Sequence, residues 1–285
     1  MASLKDLRRR IRATKSMQQI FKAMEMVAAA KLRRAQQRAQ AASPYAAKIS
    51  TMLENLAESA AEVEHPLFKV REVKITALVV VTADRGFAGA YNTTLLRAAE
   101  SRLREAPRGA IQCVVVGRKG RDYLKRRGYP VLAAHTDLPG EASVELARSL
   151  THDLTERFVR GEVDAVEILY THFVNALVRR IRRETFLPVG AAVEKRDKGS
   201  GTAIFEPNAE SIFAQLLPRY ATAKLYAAMA DALASEHSAR MVAMGSARKN
   251  AGELVDALTL QRNRLRQAMI TREISELVGG AEALR

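Results

Sequence analysis

The chain has 285 residues, with 46 Lys and Arg against 31 Asp and Glu, a formal charge of +15, 48% apolar residues, 5% aromatics, no Trp and one Cys. That length and apolar content allow one or two domains with a real core, and a lone Cys excludes an internal disulfide framework. The positive excess points to acidic partners: nucleic acid, an anionic membrane surface or acidic protein loops.

The first element reads as a long helix. From Ser3 to Ala57 there is no Gly, and the one Pro is Pro44. Ser3 with Asp6 three positions on is a start signal, because both side chains can satisfy free N–H groups of a first turn. Leu4, Leu7, Ile11, Thr14, Met17 or Gln18, Phe21, Met24 and Ala28 recur at spacings of three and four, the narrow seam of a coiled coil. Pro44 is expected to kink or restart this helix. Residues 1–57 carry twelve Lys and Arg against Asp6, Glu25 and Glu54, so a fifth of the chain holds most of the surplus charge.

The pattern then switches from period 3.6 to buried-strand runs. Ile75–Val81, Ala110–Gly117, Val131–Ala134, Ala165–Thr171 and Ile181–Val189 read as strands, with helices over Thr93–Arg104, Lys119–Arg127 and Val144–Val159 between them. Strands alternating with helices predict an α/β domain over residues 70–193 with a mostly parallel sheet. Cys113 sits inside the second apolar run and reads as a buried small residue. Residues 194–202 read as an exposed loop.

The last segment, 209–285, mirrors the first. A short helix over 209–217 is expected to end at Pro218, and a long helix follows without Pro. Met241, Met244, Arg248, Ala251, Val255 and Leu258 step by three and four, and Ile270, Ile274, Leu277, Ala281 and Leu284 repeat the alternation. Gly279-Gly280 should weaken or end the helix. At about 1.5 Å per residue, each terminal helix could span roughly 80–90 Å, too long to bury its stripe inside a small globule. The two rods therefore need each other or a partner.

Signals for chemistry are poor. Asp84-Arg85-Gly86-Phe87-Ala88-Gly89 follows a strand and opens a helix, where phosphate loops occur, but lacks both the GxGxxG and the Walker pattern. A structural turn is the better reading. His65, His135, His152, His172 and His237 lack metal-ligand spacing, so no metal, cofactor or catalytic residue is expected. No uncharged stretch exceeds eleven residues, too short to cross a bilayer, and Met1–Asp6 lacks the apolar core of a signal peptide.

The run Thr14-Lys15-Ser16-Met17-Gln18-Gln19-Ile20-Phe21-Lys22-Ala23-Met24-Glu25-Met26-Val27-Ala28-Ala29-Ala30-Lys31-Leu32 closely resembles the gamma subunit of F-type ATP synthases. So do Ser238-Ala239-Arg240-Met241-Val242-Ala243-Met244, Arg266-Gln267-Ala268-Met269-Ile270-Thr271-Arg272-Glu273-Ile274 and Val278-Gly279-Gly280-Ala281 at the other end. Asp84-Arg85-Gly86 followed by Asn92 is similar to the family's signature in its middle domain. Gly245–Lys249 is more basic and Gly-bearing than the family's usual stretch.

The resemblance implies an α/β domain carried on an antiparallel coiled coil of the N- and C-terminal helices. It implies a bacterial-type central-stalk rotor without a catalytic site, peripheral to the cytoplasmic face of the inner membrane. It would couple ion flow to ATP synthesis or hydrolysis. The partners implied are three alpha and three beta subunits around one copy, an epsilon subunit and a ring of c subunits. By the same resemblance, Met24, Arg266, Gln267, Thr271, Arg8, Arg9, Lys22 and Lys31 face the catalytic ring, Ile204, Phe205 and Glu206 form a foot on the c ring, and Leu277, Ala281 and Leu284 fill a bearing at the rod tip. The rival reading is a basic coiled-coil protein that binds nucleic acid through residues 1–40, although no aromatic is interleaved in its basic face for stacking, Phe21 belonging to the seam.

Overall fold

The computed structural model describes residues 3–59, 65–189 and 209–282. Chain order is α1 (Leu4–Ser59), a 3-10 turn (Pro66–Phe68), β1 (Thr76–Val81), α2 (Tyr91–Glu105), β2 (Ile111–Val116), α3 (Arg118–Arg126), β3 (Val131–His135), α4 (Val144–Val159), β4 (Ala165–Phe173), β5 (Arg179–Leu187) and α5 (Ala209–Glu282). The chain divides into two compact units, Met1–Ala28 with Met241–Arg285, and Ala29–Arg240.

In the first unit, α1 begins as its sequence predicts: Ser3 Oγ accepts from the Asp6 N–H at 3.1 Å and donates to the Asp6 carboxylate at 3.0 Å. Leu7 and Ile11 bury against Val255 and Leu258, with Leu265 packed alongside. Further along, Gln18 lies against Gly252, and Glu25 lies against Gly245 and pairs with Arg248 at 2.8 Å. Rising numbers on α1 meet falling numbers on α5, so the two terminal helices run antiparallel. A Cβ at Gly252 would come within 2.9 Å of Gln18 Nε2, so the end of the Gln18 side chain would have to move aside. The seam drifts as its spacing suggests. Gln18 takes the inner position, and Met17 is 51% exposed. Arg248, at a seam position, instead reaches across to Glu25 on the surface.

In the second unit the sheet order is β3-β2-β1-β4-β5. β1 is parallel to β2 and β4, β2 is parallel to β3, and β5 is antiparallel to β4. Six consecutive residues of β1 are buried, as a strand covered on both faces requires. Leu78 and Val80 pack under Leu95 and Ala99 of α2, and Cys113 and Val115 under Leu124 of α3. On the other face Ala77, Val79, Val114 and Val116 meet Leu150, Leu154 and Phe158 of α4, together with Phe213, Leu217, Leu225 and Met229 of α5. Ile49 of α1 joins that cluster. Edge strand β5 is half exposed and Arg-rich, which discourages pairing with another chain.

Three expected helix breaks do not occur. α1 is not restarted at Pro44, and α5 runs unbroken from Ala209 through Pro218 and Gly279-Gly280 to Glu282. Pro218 is exposed, while its neighbours along the helix Phe213, Leu217, Ala221 and Leu225 are in the core. The missing bond is thus lost on the wet side, and packing holds both flanks in register. At the C-terminus each Gly costs about 1 kcal/mol. Extending an existing helix still gains one hydrogen bond per residue with no new nucleus to form.

Candidate functional site

The residues expected to act do not converge on one pocket; they fall on helix surfaces. Arg8, Arg9 and Lys22 are exposed on α1, with Arg9 paired to Asp6 at 3.3 Å, and Met24 is half-buried. Arg266, Gln267 and Thr271 are exposed on α5, beyond the last cluster that α1 shares with it. From there α5 carries apolar side chains with no cover from the described residues: Met269 is 43%, Ile270 48%, Ile274 56% and Leu277 74% exposed. The second stripe therefore has seam spacing but no partner among the described residues, because α1 starts opposite Leu258–Leu265. A run of exposed apolar residues on a lone helix marks an interaction surface. Leu284, the side chain of Ala281, Ile204, Phe205, Glu206 and the loop at 194–202 lie outside the described residues. Among the described residues no cluster of His, Cys, Asp and Glu could hold a metal, and no helix is long and apolar enough to cross a membrane.

The turn after β1 is a structural junction. Asp84 accepts from the backbone N–H of Arg118 at 2.7 Å and of Leu138 at 2.6 Å, and Asn92 accepts from the Ala83 N–H at 3.0 Å. Thr82 Oγ1 donates to Val116 O at 2.9 Å and accepts from the Gly120 N–H at 3.0 Å. The N–H groups opening α3, where a phosphate loop would hold its anion, are thus already taken within the chain: that of Arg118 by the Asp84 carboxylate, that of Lys119 by Ala83 O at 3.1 Å and that of Gly120 by Thr82 Oγ1. That supports the structural reading of Asp84–Asn92 over a nucleotide site.

Sequence reasoning missed the other half of this junction, on α5. Arg240 donates to Gly86 O from Nε at 3.3 Å and Nη2 at 3.1 Å, and pairs with Glu236 at 2.6 Å. Tyr91 Oη donates to Ala232 O at 3.1 Å. The only trace in the sequence is a cluster of ionisable residues, Glu236-His237 and Arg240, in an otherwise Ala-rich stretch. Around them lies a cavity of about 410 Å³ lined in part by the loop Asp137–Ala142.

Burial sets the ionisation here. It raises the Glu236 carboxyl against the pull of Arg240, and raises the Tyr91 phenol. Burial, helped by Arg240 and Lys31, lowers the His237 imidazole from 6.5 to about 4. Between those values the unfolded chain binds a proton that the folded chain refuses, so His237 costs stability as pH falls through that window. The full loss is on the order of 3 kcal/mol. Glu236 works in the opposite sense, because its folded form takes up a proton more readily than the unfolded one. His237→Gln should therefore gain on the parent by that amount between pH 7 and pH 4 in urea titrations. A constant difference across the range would contradict the assignment.

Comparison with known proteins places these features. A family profile described as ATP synthase matches residues 3–284. The ATP synthase gamma chain of Desulforamulus reducens is 48% identical over 284 residues, covering 100% of both chains. That of Moorella thermoacetica is 46% identical over 285 residues, again covering 100% of both. Among solved structures, a chain of the central stalk and c ring of the Tetrahymena thermophila mitochondrial ATP synthase aligns with a TM-score of 0.63 at 26% identity, over 80% of this chain and 99% of that one. A chain of the Euglena gracilis mitochondrial ATP synthase aligns with a TM-score of 0.72 at 19% identity, over 99% of this chain and 94% of that one, a likeness of fold.

Proposed function

The chain belongs to the ATP synthase gamma-chain family, and from that premise we propose how it works as the central-stalk rotor of its complex. The observation that carries the reading is the antiparallel pairing of the terminal helices, from which α5 emerges alone with Arg266, Gln267, Thr271 and an apolar stripe exposed. Nothing in the relatives or structural neighbours supports the nucleic-acid alternative.

One lopsided shaft inside a three-fold ring of alpha and beta subunits touches the three catalytic sites differently. Each orientation favours a different set of open and closed conformations, because its contact energies differ. A third of a turn permutes those states. Proton flow through a c ring would turn the shaft and drive ATP release, and hydrolysis would run it backwards. The chain supplies contacts and stiffness, with no catalytic group of its own. Epsilon would join it on the cytoplasmic face of the membrane.

In this reading Arg266 forms a charge-assisted bond to a carboxylate of a beta subunit, contributing on the order of 1.5–3 kcal/mol. Arg8, Arg9 and Lys22 face acidic segments across a wet gap, where each pair is worth about 0–1 kcal/mol; Lys31, grouped with them by the resemblance, instead lines the chain's own cavity at the α5 junction. Ile204, Phe205 and Glu206 rest on the c ring, and Leu277, Ala281 and Leu284 turn in an apolar sleeve. Met24 is the sensitive point: half-buried beside the Glu25–Arg248 pair, it leaves little room for a competing cation. Met24→Lys in the assembled complex should keep ATP hydrolysis while reducing ions pumped per ATP severalfold. Unchanged pumping, or purification without alpha and beta in a three-to-one ratio to this chain, would overturn the reading.

A further inference from the structure

The cavity at the α5 junction has a composition that the rotor reading leaves unused. It opens beyond the carboxyl ends of β1 and β2, between Val81, Thr82 and Val116 on one side and Met229, Ala232 and Leu233 on the other. Its volume of about 410 Å³ falls within the range of small-molecule sites.

Most of its charges are already matched. Arg240 pairs with Glu236, Arg118 with Asp137, and Glu141 with Arg38 of α1. Asp84 is saturated by two backbone N–H groups. Two cations remain: Lys31 of α1 and Arg85 of the β1–α2 turn line the space, and neither forms a close ion pair among the described residues, Lys31 acting on Glu236 only at longer range. The loop Asp137–Ala142 lines the same space, tied to α1 through Glu141 and to α3 through Asp137.

We propose that this cavity binds a compact, multiply charged oxyanion between Lys31 and Arg85. The opening of α3 is not the anchor, since Asp84 already fills it. The ligand instead bridges α1 to the β1–α2 turn, joining two segments that no described ion pair connects. This goes beyond the rotor role and does not depend on it. Phosphate and carboxylate ligands share the required chemistry, and two probes separate them.

A chain of charge +15 attracts anions everywhere, so a matched control is needed. Calorimetry of the full chain with pyrophosphate, and separately with citrate, should give a saturable one-to-one isotherm for at least one of them. The stronger probe identifies the headgroup. The double variant Lys31→Met/Arg85→Met should weaken binding at least tenfold. Lys125→Met/Arg126→Met removes the same charge from exposed positions on α3 that do not line the cavity, and should leave the affinity unchanged. All four residues are exposed, and superimposable melting curves would establish that each variant folds. Absence of saturation with both probes, or equal weakening in both double variants, would overturn the site.

Discussion

Gly117→Ala should lower the melting temperature by on the order of 10 °C, corresponding to about 3 kcal/mol or more. Gly117 joins β2 to α3 with φ of 102°, a region that side-chain-bearing residues rarely enter. A Cβ built there would sit 2.3 Å from the Thr82 carbonyl oxygen, a backbone atom that cannot swing aside. Relief would require β1 and β2 to separate just where Thr82 bonds to Val116 O and to the Gly120 N–H. Gly128 provides the comparison. Its φ is 72°, but a Cβ there meets nothing within 4 Å, so Gly128→Ala should cost only the backbone preference, about 1–2 kcal/mol. Equal melting temperatures for the two variants would show that the contact with Thr82 carries no strain.

The second large effect is confined to the other unit. Leu258→Asp puts a carboxylate among Leu7, Ile11 and Val255 with no cation in that cluster. A lost Leu core contact costs about 2–5 kcal/mol, and desolvating the new charge adds to it. No buried residue of the second unit's sheet belongs to that cluster. Hydrogen exchange should therefore accelerate in residues 4–28 and 248–265 while β1, β2 and β4 keep their protection. In the assembled complex ATP-driven pumping should fall with it, since a frayed shaft transmits less twist. Undiminished protection in residues 4–28 would mean that the helices are held by something other than this seam.

How far each feature could be foreseen depends on the range of the interaction that sets it. β1 and β2 were legible because a strand buried on both faces must be a continuous run of β-branched residues. The helix start at Ser3 was legible because its cap spans three residues. The α1–α5 seam was legible as spacing, though spacing alone could not choose between Met17 and Gln18. Pro218 was misjudged because local propensity sees a missing hydrogen bond, while tertiary packing, plain at Phe213 and Leu217, decides. The stripe from Ile270 to Leu277 has the same period as a true seam, and only the start of α1 shows that its partner must come from elsewhere. The Arg240–Gly86 contact joins residues 154 positions apart and leaves no periodic trace.

The carboxylate that Asp84 lends to the opening of α3 has a further consequence. In nucleotide-binding α/β proteins that corner is completed by a dissociable phosphate, so its order rises and falls with ligand concentration. Here the stand-in is covalently tethered, and its effective concentration never changes. This corner should keep the same stiffness in a starved cell as in an energised one, which suits a part that must carry load at any level of ATP.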